Sequence, residues 1–168
     1  MNRSMEAPSA VQVRRAGSED AEAFTAQRGA LFRELGLLAP GVDAERFDAA
    51  TRSAFRTGVE RGTCIAWLAS LPGGEIVGSS ALTLLERLPS PSNPSPVEGY
   101  LAHLFVVPSQ RRSGVGSALM NAAIGEARAR RMGRIRLHAT EPGRALYERL
   151  GFRLRTNDME LALGSGAS

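Results

Sequence analysis

The sequence predicts a single α/β domain in which helices flank a mixed central sheet, in the order strand, two helices, three strands, helix, strand, helix, two strands. Three observations carry this expectation. The chain has 168 residues, 43% of them hydrophobic, which suits one core and leaves too little for two compact domains. Apolar residues switch several times between the alternation of strands and the 3.6-residue period of helices. Two strand segments are joined by Pro72-Gly73-Gly74 and so pair antiparallel, whereas others are separated by a helix, the connection that parallel strands use.

Taken in order, residues 1–10 and 164–168 are small and polar, so they are expected as flexible ends around a domain spanning 11–163. Val11 to Arg14 alternates as a strand does. Ser18 then offers an N-cap oxygen, with Glu19, Asp20 and Glu22 near the positive end of a helix dipole. The helix that follows places Phe24, Leu31, Phe32 and Leu35 on one face and ends at Gly36. Arg28 falls on that stripe; it either snorkels to water or points into a cleft and holds an anionic substrate group. A second helix is expected from about Asp43 to Val59, with Phe47, Ala50, Ala54 and Phe55 inward.

Thr63 to Leu71 and Glu75 to Leu85 form the hairpin, and Cys64 opens its apolar first strand as a buried strand residue. The stretch from Pro89 to Pro96 holds four prolines in eight residues, cannot sustain a hydrogen-bond ladder and is read as a loop. Tyr100 to Val107 is a buried strand stopped by Pro108, and Val115 to about Arg131 a helix with Val115, Leu119, Ala122 and Ala123 inward. Arg134 to Ala139 is the next strand, Pro142 to Leu150 a short helix, and Gly151 to Arg155 with Met159 to Leu163 a final strand pair.

Composition removes several chemistries. All 21 basic residues are arginine, so the chain has no lysine for a Walker-type phosphate loop or for an imine. Residues 1–100 carry 10 Arg and 12 acids, a net −2, while residues 101–168 carry 11 Arg and 5 acids, a net +6. The second part therefore suits an anionic partner. The single cysteine cannot form an internal disulfide, no apolar run approaches the length of a membrane span, and the first ten residues lack a signal-peptide core. A cytoplasmic protein with no membrane partner and no metal site is expected. Arg128, Arg130, Arg131, Arg134 and Arg136 read as a surface coat at a helix C-terminus, without nearby aromatics to stack bases, so no nucleic-acid partner is expected.

The most informative segment runs from Val106 to Leu119, where a strand ends, an arginine- and glycine-rich turn follows, and a helix begins. The N–H groups of Ser113, Gly114, Val115, Gly116 and Ser117 lack intrahelical partners and, with the helix dipole, make an anion site. Gly114 and Gly116 let a phosphate approach the backbone, and Arg111 and Arg112 add positive charge. A dinucleotide-binding turn would place a third glycine where Leu119 stands. What remains, Arg-x-x-Gly-x-Gly after a strand and a proline, resembles the pyrophosphate-binding motif of the GNAT superfamily of acyl-CoA-dependent N-acetyltransferases. The segment Leu146-Tyr147-Glu148-Arg149-Leu150-Gly151-Phe152 is similar to that superfamily's closing signature, and its Tyr147 follows Gly114 by 33 residues, with a helix and a strand between.

The resemblance implies a GNAT-like fold, acetyl-CoA as co-substrate and direct transfer of acetyl to a primary amine of a small molecule, peptide or protein in a ternary complex. The alternative is a non-catalytic domain that binds or senses acyl-CoA. Family members bind pantetheine along a splayed strand, here Leu104, Phe105 and Val106, and the pyrophosphate on Arg112 to Ser117. Tyr147 matches the tyrosine that protonates the departing thiolate. An asparagine ligand common in relatives is replaced by Thr140. A homodimer is common among relatives. For the general base the candidates are Glu98, Tyr100, His103 and His138, or water. Glu98 ranks first, as a strand-end carboxylate able to take a proton through water, and strand alternation sets His103 on the face opposite Glu98 and Tyr100.

Overall fold

A computed structural model describes residues 11–155 and 159–161; the two ends expected to be flexible lie outside them. The chain divides after His138 into two compact units.

The first unit is an α/β layer structure. β1 (Gln12–Arg15), β2 (Cys64–Ser70), β3 (Ile76–Glu86), β4 (Val97–Val106) and β5 (Ile135–Arg136) form one sheet in sequence order. Neighbours pair antiparallel except β4 and β5, which are parallel across the intervening α3 (Val115–Ala129). The hairpin turn at residues 72–74 closes as expected, with Gly74 at φ 87° and its N–H donated to the Leu71 carbonyl at 2.8 Å.

α1 (Ala21–Glu34) and α2 (Ala44–Glu60) pack on one sheet face, where Ala16, Ala21, Phe24, Phe55, Ala66, Leu68 and Ala81 form a buried cluster. Phe24 and Phe55 stack with ring centroids 4.4 Å apart and fix α1 against α2. α3 lies on the other face: a Cβ added at Gly78 would meet Val115 and Leu119 at 3.1–3.2 Å, so the absent side chain lets the helix sit close on the sheet. Met120 and Ala127 join its buried stripe beside Val115, Leu119 and Ala123.

The helix stripes differ from expectation in an informative way. On α1 the inward positions are Ala21, Phe24, Thr25 and Gly29, whereas Leu35, just past the helix, is 39% exposed. On α2 the predicted inward set is correctly phased, yet of its members only Phe55 is fully buried; Ala50 and Ala54 are exposed because the surface they face is open. The proline-rich loop crosses to the α3–β5 turn, where the Ser95 hydroxyl donates to the Arg131 carbonyl at 3.1 Å and Asn93 packs so closely on Gly133 that no side chain fits there.

The second unit holds a single-turn 3-10 segment (Glu141–Gly143) running into α4 (Arg144–Arg149). The final strand pair is not formed among the described residues: 152–155 and 159–161 carry no strand, with Leu154, Met159 and Leu161 exposed. The rest of that prediction, residues 156–158, 162 and 163, lies outside the described residues.

Candidate active site

The site is organised by β4. At its beginning it pairs with β5 only at Gly99↔Ile135 and Tyr100↔Arg136, while on its other side it pairs with β3 through to Val106. From Leu101 onward no strand among the described residues of this unit pairs with the edge that faced β5. Because the Val107 N–H donates to the β3 carbonyl of Val77 (2.9 Å), backbone alternation turns the polar groups of Leu104 and Val106 to the open edge and those of Phe105 toward β3. Phe105 contributes a buried ring beneath Arg111, whose guanidinium carbon lies 5.8 Å from its centroid.

The open edge runs directly into the arginine-glycine turn. Pro108–Gln110 makes one 3-10 turn, Arg112 takes a left-handed conformation (φ 61°), Gly114 another (φ 91°), and α3 starts at Val115 with no side-chain cap. A non-glycine residue at positive φ costs energy, and the chain accepts it here as it does at Arg131 (φ 55°) after α3. The Ser113 hydroxyl donates to the Gln110 carbonyl at 2.6 Å and holds the turn shut, while a Cβ added at Gly114 would meet nothing within 4 Å. The uncapped N–H groups of Val115, Gly116 and Ser117 therefore surround open space, a cradle that fits a pyrophosphate.

The two arginines of the turn differ. Arg111 is committed within the fold: its Nε donates to the Val106 carbonyl at 2.9 Å and its terminal nitrogen pairs with Glu34, at the end of α1, at 2.6 Å. Arg112 has no ion pair or hydrogen bond among the described residues and is exposed. The cradle's spare cation is thus Arg112.

Between the α1–α2 pair and the sheet lies a cleft of about 450 Å³. Its walls are the α2 stripe of Phe47, Ala50, Ala54 and Phe55, with Phe24 opposite and Ala81, Thr83 and Ala102 as floor. Arg28 and Cys64 also line it. The register between β3 and β4 shifts at this floor, with Ala81 opposite His103 and Leu82 opposite Leu101, so Ala102 is one extra residue. This bulge corrects the expected facing. Ala81 and Thr83 share the cleft face, and so do their partners His103 and Tyr100; the His103 ring packs on Phe24 at 5.0 Å.

The candidate bases separate sharply. Glu98 does not reach water as expected: it is 1% exposed and lies near Arg87 (2.7 Å), Arg136 (3.5 Å) and Arg134 (3.6 Å). His103 is fully buried with Nε2 2.8 Å from the Ser79 hydroxyl; burial first and the Arg28 charge second push its pKa down to about 3. The Tyr100 hydroxyl lies 2.7 Å from Nδ1 of exposed His138. Burial raises the Cys64 thiol pKa, partly offset by Arg28.

In the second unit Tyr147 is buried on α4, its ring edge-on to Phe152 at 5.9 Å and packed on Gly143, where a Cβ would lie 2.8 Å from the ring. Burial lifts its phenol above the usual value, which keeps the proton on at neutral pH. Thr140 is exposed, and its carbonyl accepts from the N–H groups of Gly143 and Arg144 at 3.0 and 3.1 Å. Sequence reasoning missed the Arg87–Arg134–Arg136 cluster on Glu98, the Glu34–Arg111 pair and the Ala102 bulge, none of which has a local signature.

A strand that runs into a glycine-rich helix start beside a cleft is the arrangement expected of an acyltransferase from the sequence resemblance. Comparisons with known proteins agree. The model of the acetyltransferase (GNAT) family matches residues 30–152. A GCN5-related N-acetyltransferase from Ralstonia eutropha is 32% identical, with a TM-score of 0.78 over 92% of this chain and 100% of its own. A predicted acetyltransferase from Clostridium acetobutylicum, solved with acetyl-CoA, is 22% identical, with a TM-score of 0.83 over 92% and 97%. A ribosomal-protein-alanine N-acetyltransferase from Brucella melitensis biovar Abortus is 21% identical, with a TM-score of 0.67 over 92% and 100%. No curated protein sequence matches. The chain belongs to the GNAT acetyltransferase family. It is an N-acetyltransferase and takes acetyl-CoA as co-substrate. No helix among the described residues is long and apolar enough to cross a membrane.

Proposed function

We propose that this enzyme moves acetyl from acetyl-CoA to a primary amine by direct attack in a ternary complex. The observation that carries the reading is the continuous run from the open β4 edge into the cradle at Arg112 to Ser117, with the cleft against the same strand at Ala102. The uncapped N–H groups and Arg112 bind the pyrophosphate, and Leu104 and Val106 offer backbone groups to the pantetheine arm. Acetyl-CoA supplies an activated carbonyl whose sulfur is the leaving group. As the amine nitrogen bonds to the carbonyl carbon and the carbon–sulfur bond breaks, Tyr147 gives its proton to the sulfur. The amine proton passes to water or to the Tyr100–His138 pair.

Glu98 is a weaker candidate for that last role, because taking up a proton would dissolve the charge pairing of three arginines. His103 is weaker still: it is sealed from solvent and its conjugate acid is strongly disfavoured.

The test is chromatographic detection of coenzyme A and acetylated product across a panel of primary amines. Failure to acetylate any amine would sink the reading. For an accepted amine, Tyr147→Phe should lower kcat by about 100-fold with little change in acetyl-CoA affinity; an unchanged kcat would remove Tyr147. In the pH–rate profile, Glu98→Gln should keep the wild-type acid limb, where a general base is lost, and His138→Gln should alter it.

A further inference from the structure

The cleft contains one charged side chain with no countercharge. Arg28 projects from α1 into it, and among the described residues no Asp, Glu or second Arg lines its walls. Its guanidinium donates once, from a terminal nitrogen to the Ala102 carbonyl at 2.9 Å, and stacks 4.9 Å over the Phe32 ring. A guanidinium has five N–H donors in a planar fork. One donation to a backbone oxygen leaves the fork able to receive an anion, and the Ala102 carbonyl and the Phe32 face fix its plane. Elsewhere in the same unit the half-buried Arg52 and the more exposed Arg87 and Arg130 each pair with a carboxylate. Arg28 is also the one whose charge burial disfavours, as its lowered pKa reflects.

We infer that Arg28 is the receptor for a carboxylate on the acceptor, and that the acceptor is an amine with an apolar body and a carboxylate, such as an apolar amino acid. This rests on the acetyl-transfer reading above. The α2 stripe supplies the apolar half: Phe47, Ala50 and Ala54 are apolar side chains left facing an open cleft of about 450 Å³. That volume suits a molecule of one or two residues. The same arrangement argues against polycationic acceptors, which would place positive charge beside an unneutralised guanidinium. The anchor point matters as much as the charge. Ala102 is the bulged residue just past Tyr100, where β4 parts from β5, so a carboxylate on Arg28 ties the acceptor to the strand at the start of its open edge.

The test uses matched amines that differ only in the carboxylate: L-phenylalanine against 2-phenylethylamine, and L-leucine against 3-methylbutylamine. Coenzyme A release and acetylated product are measured with the full chain. Independently of turnover, L-phenylalanine is tested for slowing N-ethylmaleimide modification of Cys64, the sole cysteine, which lines the same cleft. The wild type should prefer the carboxylated partner by about tenfold or more in kcat/KM, the scale of one charge-assisted pair. Arg28→Gln should bring that ratio close to one, and Arg28→Lys should keep part of it by holding the charge without the fork.

Equal kcat/KM within each wild-type pair would overturn the inference while leaving acetyl transfer standing. Protection of Cys64 in the wild type, lost in Arg28→Gln, with no coenzyme A release from any amine would uphold the Arg28 site and overturn the turnover reading. Neither release nor protection would overturn both. Should Arg28→Gln fail to fold, as circular dichroism would reveal, the wild-type ratio and Arg28→Lys decide the matter.

Discussion

Glu98 and Arg28 both serve β4 and are treated in opposite ways. Glu98 sits at the strand's beginning with three guanidiniums around its carboxylate. Arg28 meets the strand at Ala102 with a single backbone acceptor and no carboxylate. A charge enclosed by partners is a joint: it fixes where Arg87 on the β3–β4 connection and Arg134 and Arg136 around β5 converge. A charge left with spare donors at the wall of an open cleft has valence for a ligand. The contrast teaches that burial of a charged group does not identify function; the state of its partner list does.

Breaking the joint should give the largest effect on stability. Glu98→Ala should cost about 3 kcal/mol in urea unfolding, near the low end for a broken buried pair, because the three arginines are a third to nearly half exposed and turn to water. A loss under about 1 kcal/mol would show that the cluster is dispensable. Next is pH. The unfolded chain protonates His103 below about 6.5, whereas the folded chain does so only near 3, so stability is full above pH 6.5 and falls as pH drops below it. The slope from this group is about 1.4 kcal/mol per pH unit, giving about 2 kcal/mol between pH 6.5 and 5.0. His103→Gln should remove that share, and identical slopes in both proteins would refute it. Smallest is Arg28→Met, expected to cost no more than about 1 kcal/mol for one lost hydrogen bond, although its effect on acceptor selection is large. A cost of 3 kcal/mol would make Arg28 a second joint and erase the contrast.

The sequence made the backbone plan readable where local chemistry dictates it. Pro72-Gly73-Gly74 announces the hairpin, Pro108 stops β4, and the glycines at 114 and 116 announce the cradle. The phase of α2 was legible too, since Phe47, Ala50, Ala54 and Phe55 recur at helical spacing. That spacing tells which way a helix faces but not whether anything fills the space, so an open cleft looked like a core. Glu98 was misjudged for a related reason. Its partners at 87, 134 and 136 lie 11 to 38 residues away and meet only when β4 has paired with both β3 and β5. The facing of His103 depended on a bulge at an alanine, a residue type that carries no signal for one. The last strand pair was read from alternation that the described residues do not use for pairing.

That bulge has a consequence for how the gene can change. Upstream of Ala102 the cleft-facing residues of β4 fall on even numbers, and downstream on odd ones, so the strand is written in two reading phases joined at one position. A substitution at Ala102 alters a single side chain. Losing the residue would close the ladder into plain alternation with Tyr100 and His103 still on the cleft face, but would take away the carbonyl that Arg28 holds. The bulge therefore serves the backbone oxygen it presents to Arg28 rather than the facing of the side chains around it. A chain lacking Ala102 should keep its sheet and lose the Arg28 anchor, whereas exchange of the Ala102 side chain should leave both in place.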